Sequence, residues 1–242
     1  MTNQFPKIES AGLNAWLIRL FAEISDTNIA PIMSLAQKCK CVFNTALIDL
    51  TPSYTTLLVE FDVLQITPNQ AHLKLQTILT ELSLTESAPP TSSMTGPIKE
   101  LPVWYDTRVG PDLMHVAYEK SISCEQLIEL HSNTIYTVFA LGFAPGFAFM
   151  GSLAAHLEVP RKTTPRQQVY PGSVAIAGRQ TAAYPTYSPG GWNIIGRTPI
   201  TLFDRNRKHM SYFQIGDRVQ MVPIDQHYFL NLGGNPTPQK DR

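Results

Sequence analysis

Between Ser132 and Phe203 the chain carries Arg161, Lys162, Arg166, Arg179 and Arg197 against one acid, Glu158. Five minus one leaves +4, in a protein whose formal net charge is zero. These basic residues sit beside glycine- and proline-defined turns rather than along helix faces. Phe143, Phe147, Phe149, Tyr170, Tyr184, Tyr187 and Trp192 are interleaved with them. Arginine presents a rigid fork of donors that matches carboxylate and phosphate oxygens. Aromatic walls lower the local dielectric and strengthen that attraction. The combination points to a pocket for a small anion; the alternative is a solvated basic face. Ser173 and Ser188 lie in turns, where hydroxyls bond local backbone or join an anion site. His131, at the end of a helix beside Ser132, is the candidate general base, ahead of His156; the plainer role for a lone histidine there is a cap or a packed surface residue. No His-Glu-x-x-His zinc motif and no Gly-x-Ser-x-Gly elbow occurs.

The stretch Gly190–Thr198, GGWNIIGRT, has nearly the spacing of a nucleotide-binding Walker A loop. That loop needs small, flexible residues and must feed directly into a helix. Here Ile194 and Ile195 are stiff and favour a pleated strand. Pro199 pushes Thr198 toward extended backbone. The stretch is therefore expected to be a strand bounded by glycines.

The elements that must position these residues divide in two. Residues 1–84 read β-α-β-β-α. Asn14–Phe21 is a strand candidate. Ser25, Asp26 and Thr27 offer caps to a helix with Ile29, Ile32, Met33 and Ala36 on one face. Val42–Leu50 and Thr55–Asp62 are two further strands. Thr67-Pro68-Asn69-Gln70 starts a helix with a capping box, backed by the stripe Ala71, Leu75, Ile78, Leu79 and Leu82. The order suggests a ferredoxin-like α+β domain, with a last strand to come from later in the chain. Residues 85–97 (TESAPPTSSMTGP) lack periodicity and read as a linker. Residues 98–242 begin with a strand at Leu101–Tyr105 and helices at Pro111–Lys120 and Glu125–Ser132, the second with a Ser123/Gln126 capping box. From Thr134 to Val222, β-prone runs (TIYTVFALGF, SVAIAG, GWNIIG, PITLFD, DRVQMVP) alternate with Gly/Pro turns. This texture predicts a mainly-β barrel or sandwich.

Composition excludes several classes. The 242 residues suffice for one large or two small domains. With 16% charged residues and no basic excess, a nucleic-acid partner is not expected. No apolar run is long enough to span a bilayer, and Met1–Glu9 lacks the plan of a signal peptide. No membrane association and a cytoplasmic location are the expectations. The three cysteines, Cys39, Cys41 and Cys124, form no disulfide framework, and no metal site is expected.

The series LHSNTIYTVFALGFAPGFAFMGSL from Leu130 and PRKTTPRQQVYPGSVAIAGRQTAAYPTYSPGGWNIIGRTPITLFD from Pro160 closely resembles the subunit 1 family of allophanate hydrolases. That family includes the B component of bacterial 5-oxoprolinase and the histidine-kinase inhibitor KipI. Its most characteristic blocks stand here as Gly142-Phe143-x-Pro145-Gly146-Phe147, Ala177-Gly178-x-Gln180-Thr181 and Ser188-Pro189-Gly190-Gly191-Trp192. Weaker similarity runs through SYTTLLVEFD and LPVWYDTRVGPDL. The resemblance implies a ferredoxin-like domain followed by a cyclophilin-like β-barrel. It implies one part of a heteromer, working with a homologous C component and an A component, that opens 5-oxoproline to glutamate with ATP hydrolysis. ATP, with Mg2+ if a metal is used, would act at the level of the complex and not be tightly bound to this chain.

By the same resemblance, Arg161, Arg166, Arg179 and Arg197 are partners for a substrate carboxylate or transferred phosphate. Gln180, Thr181 and Ser188 orient a lactam, and Trp192 walls the site. Phe143, Pro145, Gly146, Gly190 and Gly191 complete its lining, with His131, Arg166 and Arg197 as the catalytic set. Ala182 stands where the family commonly has glycine, and Ala148-Phe149-Met150 where Pro-Tyr-Leu is frequent, so pocket shape and substrate stay open. The alternatives are a regulator inhibiting a sensor histidine kinase and one component of an allophanate- or urea-type amide hydrolase.

Overall fold

The computed structural model describes residues 5–85 and 97–240. The chain forms two compact units, Met1–Thr95 and Gly96–Arg242. Most of the expected linker, residues 86–96, lies outside the described residues.

The first unit comprises β1 (Lys7–Ser10), β2 (Ala15–Arg19), α1 (Ile29–Phe43), β3 (Leu47–Pro52), β4 (Thr56–Phe61) and α2 (Pro68–Thr85). Its antiparallel sheet has the order β1-β2-β4-β3. Alternation buries Leu57, Val59 and Phe61 of β4 against Leu35, Cys39 and Phe43 of α1 and Ala71, Leu75 and Ile78 of α2. At the start of α2 the Gln70 N–H donates to Thr67 Oγ1 (3.3 Å) and the Thr67 N–H donates to Gln70 Oε1 (3.0 Å), closing the expected box.

This unit departs from expectation at two places. The strand expected over Val42–Leu50 begins only at Leu47: α1 runs on to Phe43, whose ring completes the buried stripe, and Asn44 turns the chain with φ 46°. The fourth strand comes from before β2, not from later in the chain, because β1 pairs with β2 across a turn at Gly12 (φ 133°).

The second unit comprises β5 (Ile98–Val103), α3 (Leu113–Glu119), α4 (Cys124–Ser132), β6 (Ile135–Leu141), β7 (Ala148–Gly151), β8 (Arg166–Val169), β9 (Ser173–Ala177), β10 (Gln180–Ala183), β11 (Ser188–Gly190), β12 (Asn193–Arg197), β13 (Arg218–Pro223) and α5 (Gln226–Asn231). Seven strands form a mixed sheet, β12-β9-β10-β7-β6-β13-β5, in which only β13 and β5 are parallel; β8 and β11 pair separately. The two edges meet at one point. The Trp104 N–H donates to the Arg197 carbonyl (2.8 Å) and the Arg197 N–H to the Trp104 carbonyl (2.9 Å). The sheet is thus a half-barrel stitched at its seam.

Both faces of β9 and β12 are covered, which is why the two strands are buried throughout. Val174, Ile176, Ala183 and Ile195 face the main core with Val138, Met150 and Met221. Ala175, Ala182, Tyr184 and Ile194 face an aromatic cluster on the other side with Phe147 and Trp192. Gly190–Thr198 is indeed strand-bound, with β12 at its centre. PITLFD (199–204) is not a strand: Pro199 ends the ladder, the Thr198 hydroxyl accepts the Ile200 N–H (3.2 Å), and Phe203 makes only an isolated bridge to Ser211. No described helix is long and apolar enough to cross a membrane.

Candidate functional site

The aromatic face is built from β7, β10 and the start of β12. The Phe147 ring packs edge-on against Tyr184 (5.2 Å between centroids) and Trp192 (5.8 Å), and Phe149 lies 4.8 Å from Phe147. Phe143 is 63% exposed and holds φ 68°, a left-handed backbone that costs a bulky residue energy. Its ring leans on Phe147 at 5.2 Å. Burial pushes the Tyr184 phenol up to about 12, against the Trp192 N–H that it accepts and the nearby Arg161 and Arg166 charges, so it stays neutral.

Gly190 is required by this wall: a Cβ there would stand 2.8 Å from Tyr184 Cζ. Gly190→Ala is expected to push the ring aside and cost about 1–3 kcal/mol, the usual penalty of overpacking. A lowered urea midpoint with altered near-ultraviolet dichroism would register it; an unchanged spectrum would show that the ring is not held there.

The segment entering β8 lies beside this wall. The Lys162 N–H donates to the Gly191 carbonyl (2.7 Å), which ties 160–166 to the glycine turn before β12. The Arg161 guanidinium lies over the Trp192 ring, 5.9 Å from its centroid. A cleft of about 280 Å³ opens here, lined by Arg161, Lys162, Thr163, Thr164, Asn193, Pro160, His115 and Glu119. The Arg161 guanidinium, two threonine hydroxyls and the His115 ring give it donors for a small anion, against one lining carboxylate, Glu119.

Beneath the cleft is Asp112, a residue that sequence reasoning did not single out. Only 4% exposed, it receives Arg166 as a fork (Nη1 to Oδ2 2.7 Å, Nη2 to Oδ1 2.9 Å), Lys162 Nζ (2.7 Å) and the Ile194 N–H (2.7 Å). Burial works to raise the Asp112 carboxyl; the hydrogen bonds from Arg166, Lys162 and Ile194 outweigh it and hold the group below the usual carboxylate range. The loop before it approaches β12 so closely that a Cβ on Gly110 would lie 2.6 Å from the Gly196 nitrogen. The surplus of +4 read from the sequence is therefore partly cancelled by an acid from outside that window. Arg166, itself 2% exposed, is committed to Asp112.

The other expected site residues are dispersed. His131 is fully buried: Nδ1 lies 2.7 Å from the Tyr105 hydroxyl and Nε2 lies 2.9 Å from Thr181 Oγ1. The Thr181 hydroxyl donates to the Ala175 carbonyl (3.2 Å), so it accepts from His131 Nε2–H, and Nδ1 accepts from Tyr105. Desolvation pulls the imidazole down to about 3. The correction is physical: a neutral ring with both nitrogens engaged inside the unit is a core link, neither the surface cap nor a base facing a cleft. Thr181 goes with it, on the opposite side of β10 from Ala182 and Tyr184.

Gln180 is half-buried and Arg179 exposed at the β9–β10 turn. Ser188 pairs with Val169 in the small sheet, its hydroxyl buried without a partner. Pro145 is exposed and Gly146 buried at φ 85° in the turn that carries Phe143. Arg197 lies at the far end of β12 from Trp192, roughly 16 Å along the strand at about 3.3 Å per residue. It stacks over Tyr170 at 5.1 Å and is not part of the Arg161 cleft. Cys39 and Cys41 both fall within α1, one buried and one exposed. No group of three potential metal-ligating side chains occurs among the described residues.

Known proteins are similar to this chain in sequence and in fold. The family described as carboxyltransferase domain, subdomain C and D, matches residues 6–213. A Bacillus subtilis protein, named as the B subunit of 5-oxoprolinase, is 34% identical over 225 residues, covering 91% of this chain and 93% of that relative. One of the same name from Escherichia coli O157:H7 is 47% identical over 124 residues, 51% of this chain and 57% of that one. The solved structure of TTHA0988 superposes with a TM-score of 0.74 at 31% identity, covering 88% of this chain, which spans 41% of that one. Kluyveromyces lactis urea amidolyase gives a TM-score of 0.72 over 96% of this chain and 16% of its own; at 17% identity the likeness is one of fold.

Proposed function

The chain belongs to the family of carboxyltransferase domains, subdomain C and D, and on that premise we propose that it is the B component of a heteromeric ATP-dependent 5-oxoprolinase. It works with a homologous C component and an A component in the cytoplasm. The names of the relatives, each the B subunit of 5-oxoprolinase, favour this reading. The observation that carries it on this chain is the Arg161–Lys162 cleft beside the aromatic wall. We take the first unit as the ferredoxin-like domain and the half-barrel as the cyclophilin-like one, with a linker over 85–97.

The chemistry is the opening of a lactam, a poor electrophile. Phosphoryl transfer from ATP to the lactam carbonyl oxygen activates the carbon that bears it and releases ADP. One water adds to that carbon, the C–N bond breaks as the ring nitrogen takes a proton, and a second water displaces phosphate from the resulting acyl phosphate, leaving glutamate, ADP and phosphate. Arg161 holds the substrate carboxylate, and Thr163 and Thr164 donate hydroxyl hydrogen bonds. Trp192 and Tyr184 exclude water from one side, which strengthens the ionic contact. Asp112 and Arg166 do not touch substrate; they position the segment that does.

Co-expression with the candidate partner proteins, followed by an assay for glutamate release from 5-oxoproline with and without ATP, tests the assignment. ATP-dependent product is expected; none from a correctly assembled complex overturns it. Within that complex, Arg161→Ala is expected to raise KM by about 10- to 100-fold, the worth of one charged hydrogen bond of roughly 1.5–3 kcal/mol. Because the side chain is exposed, stability should change by less than about 0.5 kcal/mol. An unaltered KM would remove Arg161 from the site.

A further inference from the structure

Arg197 is 1% exposed, yet among the described residues no Asp or Glu pairs with it. Its Nη1 alone is engaged, donating to the carbonyls of Asn235 (2.9 Å) and Thr237 (2.6 Å). Nε and Nη2 are buried with no hydrogen-bond partner. Those two N–H groups form one edge of the guanidinium, with the parallel geometry that a carboxylate accepts side-on. Leaving such a pair unsatisfied in a buried site is costly, and the charge costs more than the hydrogen bonds. Desolvation lowers the group only to about 10, so it is still a cation at neutral pH.

The surroundings have the form of a seat with a cover. The Tyr170 ring lies under the guanidinium at 5.1 Å, and Tyr187, half exposed, packs edge-on against Tyr170 at 5.2 Å. The cover is the segment Asn235–Gln239, which has no regular secondary structure and holds two prolines. Its first four residues are exposed; Gln239, 7% exposed, is its pin. Gln239 Oε1 accepts the Tyr170 N–H (2.9 Å), Nε2 donates to the Gln168 carbonyl (2.8 Å), and its own N–H donates to the Arg108 carbonyl (2.9 Å). A strap held by the Gln239 side chain, one backbone bond to Arg108 and two carbonyls on Arg197 can lift without unfolding the half-barrel beneath it.

We propose that Arg197 anchors a carboxylate-binding site roofed by the strap Asn235–Gln239, separate from the Arg161 cleft, and that a small carboxylate ligand enters when the strap lifts. The ligand's two oxygens take Nε–H and Nη2–H. A planar carboxylate meets that edge with two oxygens in the plane of the guanidinium, whereas a tetrahedral phosphate carries further oxygens out of that plane, toward the negative face of the Tyr170 ring.

The test follows the Arg197 Nε–H resonance in ¹⁵N-labelled full-length protein, assigned by its loss in Arg197→Lys. Sodium acetate is the probe, with sodium chloride at equal ionic strength and inorganic phosphate as controls. A saturable shift with acetate, absent with chloride, is expected, with affinity rising about tenfold in Gln239→Ala as the cover is unpinned. Pro238→Gly serves if Gln239→Ala does not fold. A shift that fails to saturate, that chloride reproduces, that phosphate gives in place of acetate, or that the loosened strap leaves at the same affinity overturns the proposal. So does a change of the free-state resonance on Asp241→Asn, which would mean that the chain fills its own seat.

Discussion

Asp112→Ala is expected to destabilise the protein by about 3–5 kcal/mol, the cost of stranding a buried guanidinium without its carboxylate. The carboxylate takes both oxygens of its fork to Arg166 and also receives Lys162 and the Ile194 N–H. Its removal leaves those donors facing one another in a buried site. Asp112→Asn should fall between wild type and alanine, because it keeps the shape and one acceptor but not the charge. Replacing both members, Asp112→Leu with Arg166→Met, should recover much of the loss, since a matched apolar pair carries no desolvation penalty. Urea unfolding of the four proteins at neutral pH measures this. A single-alanine loss under about 1 kcal/mol would mean that water replaces the carboxylate and that the hub does not organise the cleft. The contribution also has a pH window. The carboxyl is held below its ordinary range, so its stabilisation is present above the unfolded value of about 3.9 and is lost as pH falls through the lower folded value.

The second large effect belongs to His131. Its folded pKa lies near 3, against 6.5 for an unburied imidazole. Between those values the unfolded chain binds a proton that the folded chain does not, so stability rises with pH. The His131 contribution is therefore complete above about pH 6.5 and declines on acidification toward pH 3, by up to about 1.4 kcal/mol per pH unit. Unfolding free energies of wild type and His131→Gln, compared from about pH 7 to about pH 4.5, should diverge in slope, with about 2–3 kcal/mol of extra acid loss in wild type. Titrations common to both proteins cancel in the difference. Parallel profiles would show that water reaches the imidazole and that the relay from Tyr105 to Thr181 is open.

These two residues mark the boundary between what order along the chain reveals and what it conceals. Asp112 precedes a short helix and follows Gly-Pro, so read linearly it is a turn residue. Nothing nearby announces that it will meet Arg166, 54 positions on. His131 sits on α4 with a capping box at the start and polar neighbours, and on that helix its burial looks no different from exposure. Only the packing of α4 against β10 and Tyr105 removes it from water.

What the sequence determined by itself is local. The capping boxes at Thr67 and Ser123, the buried stripe of α2, the alternation of β4 and the strand character of Asn193–Arg197 follow from short-range sterics and periodicity, which act the same way wherever the segment ends up. The family was also legible, because its motif blocks are runs of glycine, proline and aromatic residues with fixed spacing. The tertiary structure alone decided which basic residues are free. Cations close together in the sequence were sent to different fates by the strands and turns that carry them: Arg166 of β8 into an ion pair, Arg161 before β8 onto Trp192, Arg179 of the β9–β10 turn into solvent and Arg197 of β12 beneath the strap. A side chain's charge is written in the chain, but its partner is set by which residues the sheet brings across from it, and its energy by how much water that leaves.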